Sequence, residues 1–257
     1  MQNNIISGLF VGQNFVTLKE VDSTNNFLKH LVSNSKPVIE GTVIMAENQY
    51  AGRGQQQNTW NAEAGKNLTF SILLKPHFLE VTNQFDLIRV VSLGVFDALE
   101  PLLGDALKIK WPNDIYFGDL KLGGMLIENM IQGGQIKNAI VGIGLNVNQE
   151  VFGPSLPNAT SLKQILHQDY DLKALLSEIC RHVEAWYLNL RAGKTEDVRK
   201  VYLSRLYWLN EMRWFKTAGG IINGKVKNVC YNGLLVIENT NNEELEFSLK
   251  EIEFLNR

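Results

Sequence analysis

The chain has 257 residues, 45% of them hydrophobic and 20% charged, a balance that excludes a disordered or fibrous chain and suits one large folded domain with a smaller one beside it. With 25 Lys and Arg against 27 Asp and Glu, the net charge is -2, so no overall positive field argues for a nucleic-acid partner. Cys180 and Cys230 make neither a disulfide framework nor metal-ligand spacing, no run approaches the ~20 apolar residues of a bilayer crossing, and the N-terminus lacks a signal-peptide pattern, so the expectation is a cytoplasmic protein with no membrane partner.

In chain order, Phe15 to Val21 reads as a strand, and Asp22-Ser23-Thr24 supplies N-cap residues for a helix carrying Phe27, Leu28 and Leu31. Thr42 to Glu47 is β-branched and apolar, a buried strand. A polar loop of 19 residues, Asn48 to Lys66, precedes a second apolar strand, Leu68 to Leu74. Its length exceeds what a connection needs and makes it a candidate binding loop. Phe85, Ile88, Val91, Val95 and Leu99 fall at helical spacing, which predicts a core helix capped by Thr82, reaching Leu103 and stopped near Gly104.

Seven of the 27 residues from Gly118 to Gly144 are glycine, interleaved with strand-like runs Ile109 to Phe117, Lys121 to Ile131 and Ile136 to Val147. With turns at Gly118-Asp119 and Gly133-Gly134, they predict an antiparallel meander. Two amphipathic helices follow, one from the Asp171 cap through Leu172, Leu176, Ile179, Val183 and Leu190, the other carrying Val198, Tyr202, Leu206 and Leu209. Beyond Glu211 come short strands with turn signals at Ala218-Gly219-Gly220, Asn232-Gly233 and Asn239 to Asn242. They suit a small barrel, which places a domain boundary near Asn210 and divides the chain into residues 1–210 and 211–257.

Three stretches carry chemistry. In Gly52-Arg53-Gly54 two glycines let backbone N–H groups approach an anion that the guanidinium neutralises; the alternative is an exposed turn with a solvated arginine. Trp60, near the end of that loop, reads as a packing anchor or a ligand wall. Lys110-Trp111-Pro112-Asn113-Asp114 compresses a cation, an indole, an amide and a carboxylate into five positions where a strand meets a turn, and Lys121 stands across the next hairpin from Asp114. Gly142-Ile143-Gly144 lacks the third glycine and the following helix of a dinucleotide fingerprint. The scattered histidines form no cluster, and His30 and His182 read as helix-face residues.

Taken in order, these segments resemble a biotin protein ligase: Val21 to Asn25, Ala46 to Gln49 running into Gly52-Arg53-Gly54 and Trp60, Lys110 to Asp114, Lys121-Leu122-Gly123-Gly124 with Glu128, and Gly142 to Asn146. The resemblance spans about Val16 to Leu255 and implies an α+β fold, a mixed sheet covered by helices of the class II synthetase-like kind, with a C-terminal SH3-like β-barrel. Only about a dozen residues precede the first strand, so it also implies the short form, without the N-terminal winged helix-turn-helix of repressor-type members.

The implied activity is ATP-dependent ligation of biotin, through biotinyl adenylate, to a lysine of a biotin carboxyl carrier domain, with Mg²⁺ held chiefly by the phosphates. By resemblance Arg53 and Lys121 stabilise charge, and Asp114 orients the incoming lysine, since a carboxylate is a poor base for an amine. The biotin-binding positions implied are Ser23, Thr24, Asn25, Gln49, Gly52, Arg53, Gly54, Gln55, Lys121 and Gly123; those for ATP are Arg53, Gln55, Trp60, Lys110, Asn113, Lys121 and Asn146; no protein metal ligand is implied. The chain departs from better-known bacterial members after Gly54, where Gln55-Gln56-Gln57-Asn58-Thr59 stands in place of arginines and a glycine. The competing readings are a lipoate or octanoate ligase or transferase of the same fold and a noncatalytic biotin-binding regulator; the Gly-Arg-Gly loop and the Lys110 to Asp114 segment favour biotin, and the pair Arg53 and Lys121 favours catalysis. A homodimer is compatible with the resemblance.

Overall fold

The computed structural model describes residues 8–34 and 37–255. A seven-stranded sheet is built from β1 (Phe15–Val21), β2 (Val43–Gln49), β3 (Leu68–Leu74), β4 (Leu107–Lys110), β5 (Asp114–Phe117), β6 (Leu120–Gln132) and β7 (Gln135–Leu145), in the order β1-β2-β3-β7-β6-β5-β4. β1 and β2 are parallel, joined through helix α1 (Thr24–Ser33), and the other neighbours are antiparallel. The sheet is therefore mixed, as the resemblance implies, and the meander is present as β4 to β7.

Strand alternation divides the side chains between two faces. Phe70, Ile72 and Leu74 of β3 and Val141, Ile143 and Leu145 of β7 join the main core. That core includes α2 (Phe85–Leu103), α4 (Leu172–Arg191) and α5 (Thr195–Ser204), with α2 packed along α4. Burying each such Leu, Val or Phe side chain stabilises the fold by roughly 1.5–3 kcal/mol before conformational entropy is counted. On the opposite face Leu73 and Ile140 meet Leu28, Phe27 and Leu31 of α1 in a smaller cluster. α1 covers only part of this face; Ser71, Gly142, Gly144, Gly124, Leu126 and Glu128 also alternate toward it, and they become the floor and rim of the site.

The Asp171 cap is present, its Oδ1 accepting from the N–H groups of Lys173 and Ala174. Three expectations are corrected. The core helix begins at Phe85 with Gln84 before it, because residues 81–83 form a separate short 3-10 turn in which Thr82 bonds to Glu80. Ile109 to Phe117 is two strands, interrupted at 111–113. Helix α5 ends at Ser204: Leu206 and Leu209 instead make parallel bridges to Ile109 and Val226, at helical spacing without helical backbone. A short helix, α3 (Leu162–Leu166), capped by Ser161, is additional.

The C-terminal SH3-like module is a five-stranded antiparallel sheet of β8 (Met212–Thr217), β9 (Gly220–Val229), β10 (Leu235–Asn239), β11 (Glu244–Phe247) and β12 (Ile252–Leu255), ordered β11-β10-β9-β8-β12. It is fastened to the larger sheet's helices by buried Arg89 of α2, whose guanidinium donates to the carbonyls of Val229, Cys230 and Tyr231. Arg89 also pairs with buried Asp86 at 2.6 Å, and Asp86 pairs with Arg199 at 2.8 Å. Two residues beyond Tyr231, the Gly233 carbonyl accepts from the Trp111 indole N–H at 2.9 Å. No helix among the described residues is long and apolar enough to cross a membrane.

Candidate active site

Both sheets contribute to one cavity of about 300 Å³, at the lower end of the range for small-molecule sites. The α1 N-terminus, the end of β2, the long loop, the β4–β5 turn, β6, β7 and the C-terminal module all line it. Of the residues expected from the sequence, Ser23, Thr24, Asn25, Gln49, Arg53, Gly54, Gln55, Trp60, Lys110, Asn113, Asp114 and Lys121 lie on its wall.

One end is a row of polar groups. Gln49 Oε1 accepts from the Thr24 backbone N–H at 2.7 Å and from Thr24 Oγ1 at 3.0 Å. Ser71 Oγ lies 2.7 Å from Thr24 Oγ1 and 2.6 Å from Asn25 Oδ1. Asn25 Nδ2 donates to Glu128 Oε2 at 2.9 Å, and Glu128 pairs with Arg53. The row can lie against the sheet because β7 has no side chain there: a Cβ on Gly142 would stand 2.5 Å from Asn25 Oδ1, and one on Gly144 would stand 2.3 Å from the Trp60 ring. The indole Nε1 of Trp60 is buried without a hydrogen-bond partner among the described residues, a donor left for a ligand's acceptor.

The other end is cationic. Lys121 Nζ sits 2.8 Å from Asp114 Oδ2, the two brought together across β5 and β6. Lys110 Nζ donates to Tyr116 Oη at 3.2 Å and lies over the rings of Tyr116, at 4.5 Å, and Phe254, at 5.1 Å. Burial pulls the Lys110 ammonium below its ordinary pKa of 10.5, with Lys121 adding to the effect and Asp114 opposing it. A folded pKa below the unfolded one means that this group costs stability while charged. That cost shrinks as pH rises through the folded pKa toward the unfolded value. Lys110→Met is therefore expected to gain stability relative to the wild type at neutral pH, and the gap should narrow as pH rises toward the ordinary lysine value of 10.5. Paired urea titrations across that range check it; a gap that widens with pH contradicts the assignment.

Three expected residues lie behind the wall. Gly52 is buried, its carbonyl accepting from Trp60 N–H at 2.9 Å. Gly123 pairs with Leu145 inside the sheet, and Gly124 takes the exposed place beside it. Asn146 is buried with its amide donating to the Thr160 carbonyl at 2.9 Å. Asn113 reaches the wall, but its amide is already bonded to the Met125 carbonyl. Other wall residues carry no motif signal: Phe70, Met125 and Leu126, and from the C-terminal module Leu249, Ile252 and Phe254. Ser71 had one weak signal, a hydroxyl that with Thr69 interrupts a largely apolar strand.

Among the described residues no three His, Cys, Asp or Glu side chains converge as a metal cage. The two carboxylates nearest the cations, Asp114 and Glu128, are engaged by Lys121 and Arg53. A protein-held metal does not fit this donor set.

Residues 18–146 match the biotin/lipoate A/B protein ligase family. The chain is 29% identical over 232 residues, 89% of its length and 70% of the relative's, to the bifunctional ligase/repressor BirA of Bacillus spizizenii. It is 28% identical to the biotin–[acetyl-CoA-carboxylase] ligase of Paracoccus denitrificans, over 86% of this chain and 92% of that protein. Among solved structures, the biotin protein ligase of Aquifex aeolicus in complex with biotin and ATP superposes with a TM-score of 0.79 at 30% identity, covering 95% of this chain and 100% of that one. The order of the strands, the placement of the Gly-Arg-Gly loop over β6 and β7 and these matches agree: the chain belongs to the biotin/lipoate A/B protein ligase family.

Proposed function

We propose that this protein joins biotin to a lysine of a biotin carboxyl carrier domain in the cytoplasm, using ATP in two steps at the one cavity. The observation that carries this reading is that one cavity is lined both by a hydrogen-bonding row, joined to Arg53 through Glu128, and by Lys110 and Lys121 beside Asp114. The row of Thr24, Asn25, Ser71 and Gln49 offers donors and acceptors suited to a ureido ring. In the first step a biotin carboxylate oxygen attacks the α-phosphorus of ATP and pyrophosphate departs with the electrons of the broken P–O bond. Both reactants are anions, so Lys121 and Arg53 lower their repulsion and stabilise the charge that develops. Arg53 must exchange Glu128 for the ligand. In the second step the carrier's amine attacks the acyl carbon, AMP leaves with the electrons of the broken C–O bond, the amine's proton passes to water, and Asp114 orients the incoming lysine rather than deprotonating it. Trp60 and Lys110, both on the cavity wall, are assigned to the nucleotide. Mg²⁺ would arrive on the nucleotide's phosphates, and no step is assigned to a protein-bound ion.

Incubating the protein with ATP, Mg²⁺, a carrier domain and labelled biotin, lipoate or octanoate tests the reading. Transfer of biotin supports it, while transfer of lipoate or octanoate alone, or of none of them, refutes it.

Gln55 stands where the cavity opens beside the Arg53 loop. As glutamine it offers a phosphate a neutral hydrogen bond of about 1 kcal/mol, against about 1.5–3 for the charge-assisted contact of arginine. The adenylate is therefore expected to leave about tenfold more slowly from a Gln55→Arg variant. Single-turnover adenylate, chased with unlabelled biotin and ATP, reports both off-rates; equal rates make Gln55 an ordinary loop residue.

A further inference from the structure

Among the described residues the Arg53 guanidinium has one side-chain partner, and that partner is a carboxylate. Glu128 stands on β6 on the same face as Gly124 and Leu126. Its Oε2 accepts from Arg53 and from the Asn25 side-chain amide together, the latter at 2.9 Å, and Lys29 Nζ of α1 lies 3.8 Å from its other oxygen. The pair sits at a boundary. Arg53 lines both the main cavity and a groove beside it bounded by Gln55, Gln56, Leu126, Leu249 and Lys250, whereas Glu128 lines the groove alone. The carboxylate therefore holds the guanidinium at the edge of the cavity.

Two features make this contact exchangeable. The loop keeps its own shape, because Gly54 N–H donates to the Asn58 carbonyl at 2.7 Å and Trp60 N–H donates to the Gly52 carbonyl at 2.9 Å. The Arg53 side chain can turn without unfolding that backbone. Glu128 is also not stranded when the guanidinium leaves, since the Asn25 amide and Lys29 stay beside it. The penalty for leaving a carboxylate unpaired, which dominates the breaking of most ion pairs, is thereby reduced. Side-chain exposures of 38% for Arg53 and 22% for Glu128 let solvent screen the attraction further.

We propose that Glu128 is a positioning residue for Arg53 that sets how the site responds to ligand charge: it keeps the guanidinium at the rim of the empty cavity and yields it to a carboxylate or phosphate. The inference rests on the reading above that Arg53 meets the anionic part of the ligand. An anion must displace Glu128 to reach Arg53, so its affinity is held below what the cavity could give. A neutral ligand of the same shape leaves the pair closed.

The test is calorimetric binding of biotin and of biotinamide, which carries the same rings without the charge. Glu128→Gln retains an oxygen for the Asn25 amide but no longer attracts Arg53. It is expected to bind biotin about fivefold more tightly than the wild type, the worth of a partly exposed ion pair, with biotinamide changed by less than about twofold. In an Arg53→Ala background the same substitution should alter biotin binding by less than about twofold, because the group it holds is gone. Unchanged or weaker biotin binding by Glu128→Gln, an equal gain for biotinamide, or a fivefold gain that persists without Arg53 overturns the proposal; the last outcome would be plain charge repulsion.

Phenylglyoxal labelling of Arg53, read by peptide mass, needs no ligand. It is expected to run about threefold or more faster in Glu128→Gln than in the wild type, and equal rates overturn the proposal. Wild-type protein that binds neither biotin nor biotinamide overturns the functional reading instead, and the labelling then still decides whether Glu128 holds Arg53. Glu128→Asp, which withdraws the carboxylate on a shorter arm, serves in both measurements if the glutamine variant does not fold, with shifts of the same sign.

Discussion

Replacing Lys121 by alanine is expected to reduce adenylate formation by two orders of magnitude or more while leaving the fold intact. The size follows from removing a fixed cation aimed at charge that develops only in the transition state. The intact fold follows from exposure: Lys121 and Asp114 are 36% and 23% exposed, so solvent screens their attraction and the pair adds at most about 1 kcal/mol to stability. Pyrophosphate release and a urea titration, run on the same preparation, separate the two effects. Release at near-normal rate would remove Lys121 from the chemistry, and a large loss of stability would leave the rate defect without a specific cause.

The largest expected effect on stability is at Arg89. Its guanidinium is buried, stacked on the Phe85 ring at 4.6 Å, paired with Asp86 and bonded to three carbonyls of the C-terminal module. Burial draws its pKa down and Asp86 draws it back up. Arg89→Met retains much of the side chain's volume but strips those carbonyls and half of the Asp86 pairing, a change that costs about 3–5 kcal/mol when one partner of a buried pair is removed. Arg199 still faces Asp86, which favours the lower end. A loss under about 1 kcal/mol in equilibrium unfolding would mean that water takes over the carbonyls and that the clasp is dispensable.

What the sequence makes legible is what neighbouring residues determine. β1 and β3 lie where alternation and apolar runs put them, and α4 starts at its Asp171 cap. The misplaced ends of α2 and α5 have a different cause. Thr82 has the chemistry of a cap but serves a separate turn, and Leu206 and Leu209 have helical spacing but are claimed by strands distant in the chain. The site divides in the same way. Arg53, Lys110, Asp114 and Lys121 stand out as compact clusters of charge and glycine. Leu249, Ile252 and Phe254 join them only through the docking of the second sheet, which no local pattern announces. Asn146 is near enough in the chain to be grouped with the site, yet it follows the end of β7 and lies buried behind the wall.

The row from Gln49 to Asn25 has a proton count that does not balance. Gln49 Oε1 and Asn25 Oδ1 are acceptors, fixed as such because the first takes the Thr24 backbone N–H and the second belongs to an amide whose nitrogen donates to Glu128. Between them lie three short oxygen–oxygen contacts, Gln49 to Thr24, Thr24 to Ser71 and Ser71 to Asn25. The hydroxyls of Thr24 and Ser71 supply only two hydrogens, so at any instant one contact sets lone pair against lone pair. A headgroup that brings N–H donors relieves that shortage and leaves a hydroxyl free to donate to its carbonyl. A cyclic urea carries both kinds of group, whereas a dithiolane carries neither, so the excess of acceptors in the row discriminates between the two headgroups.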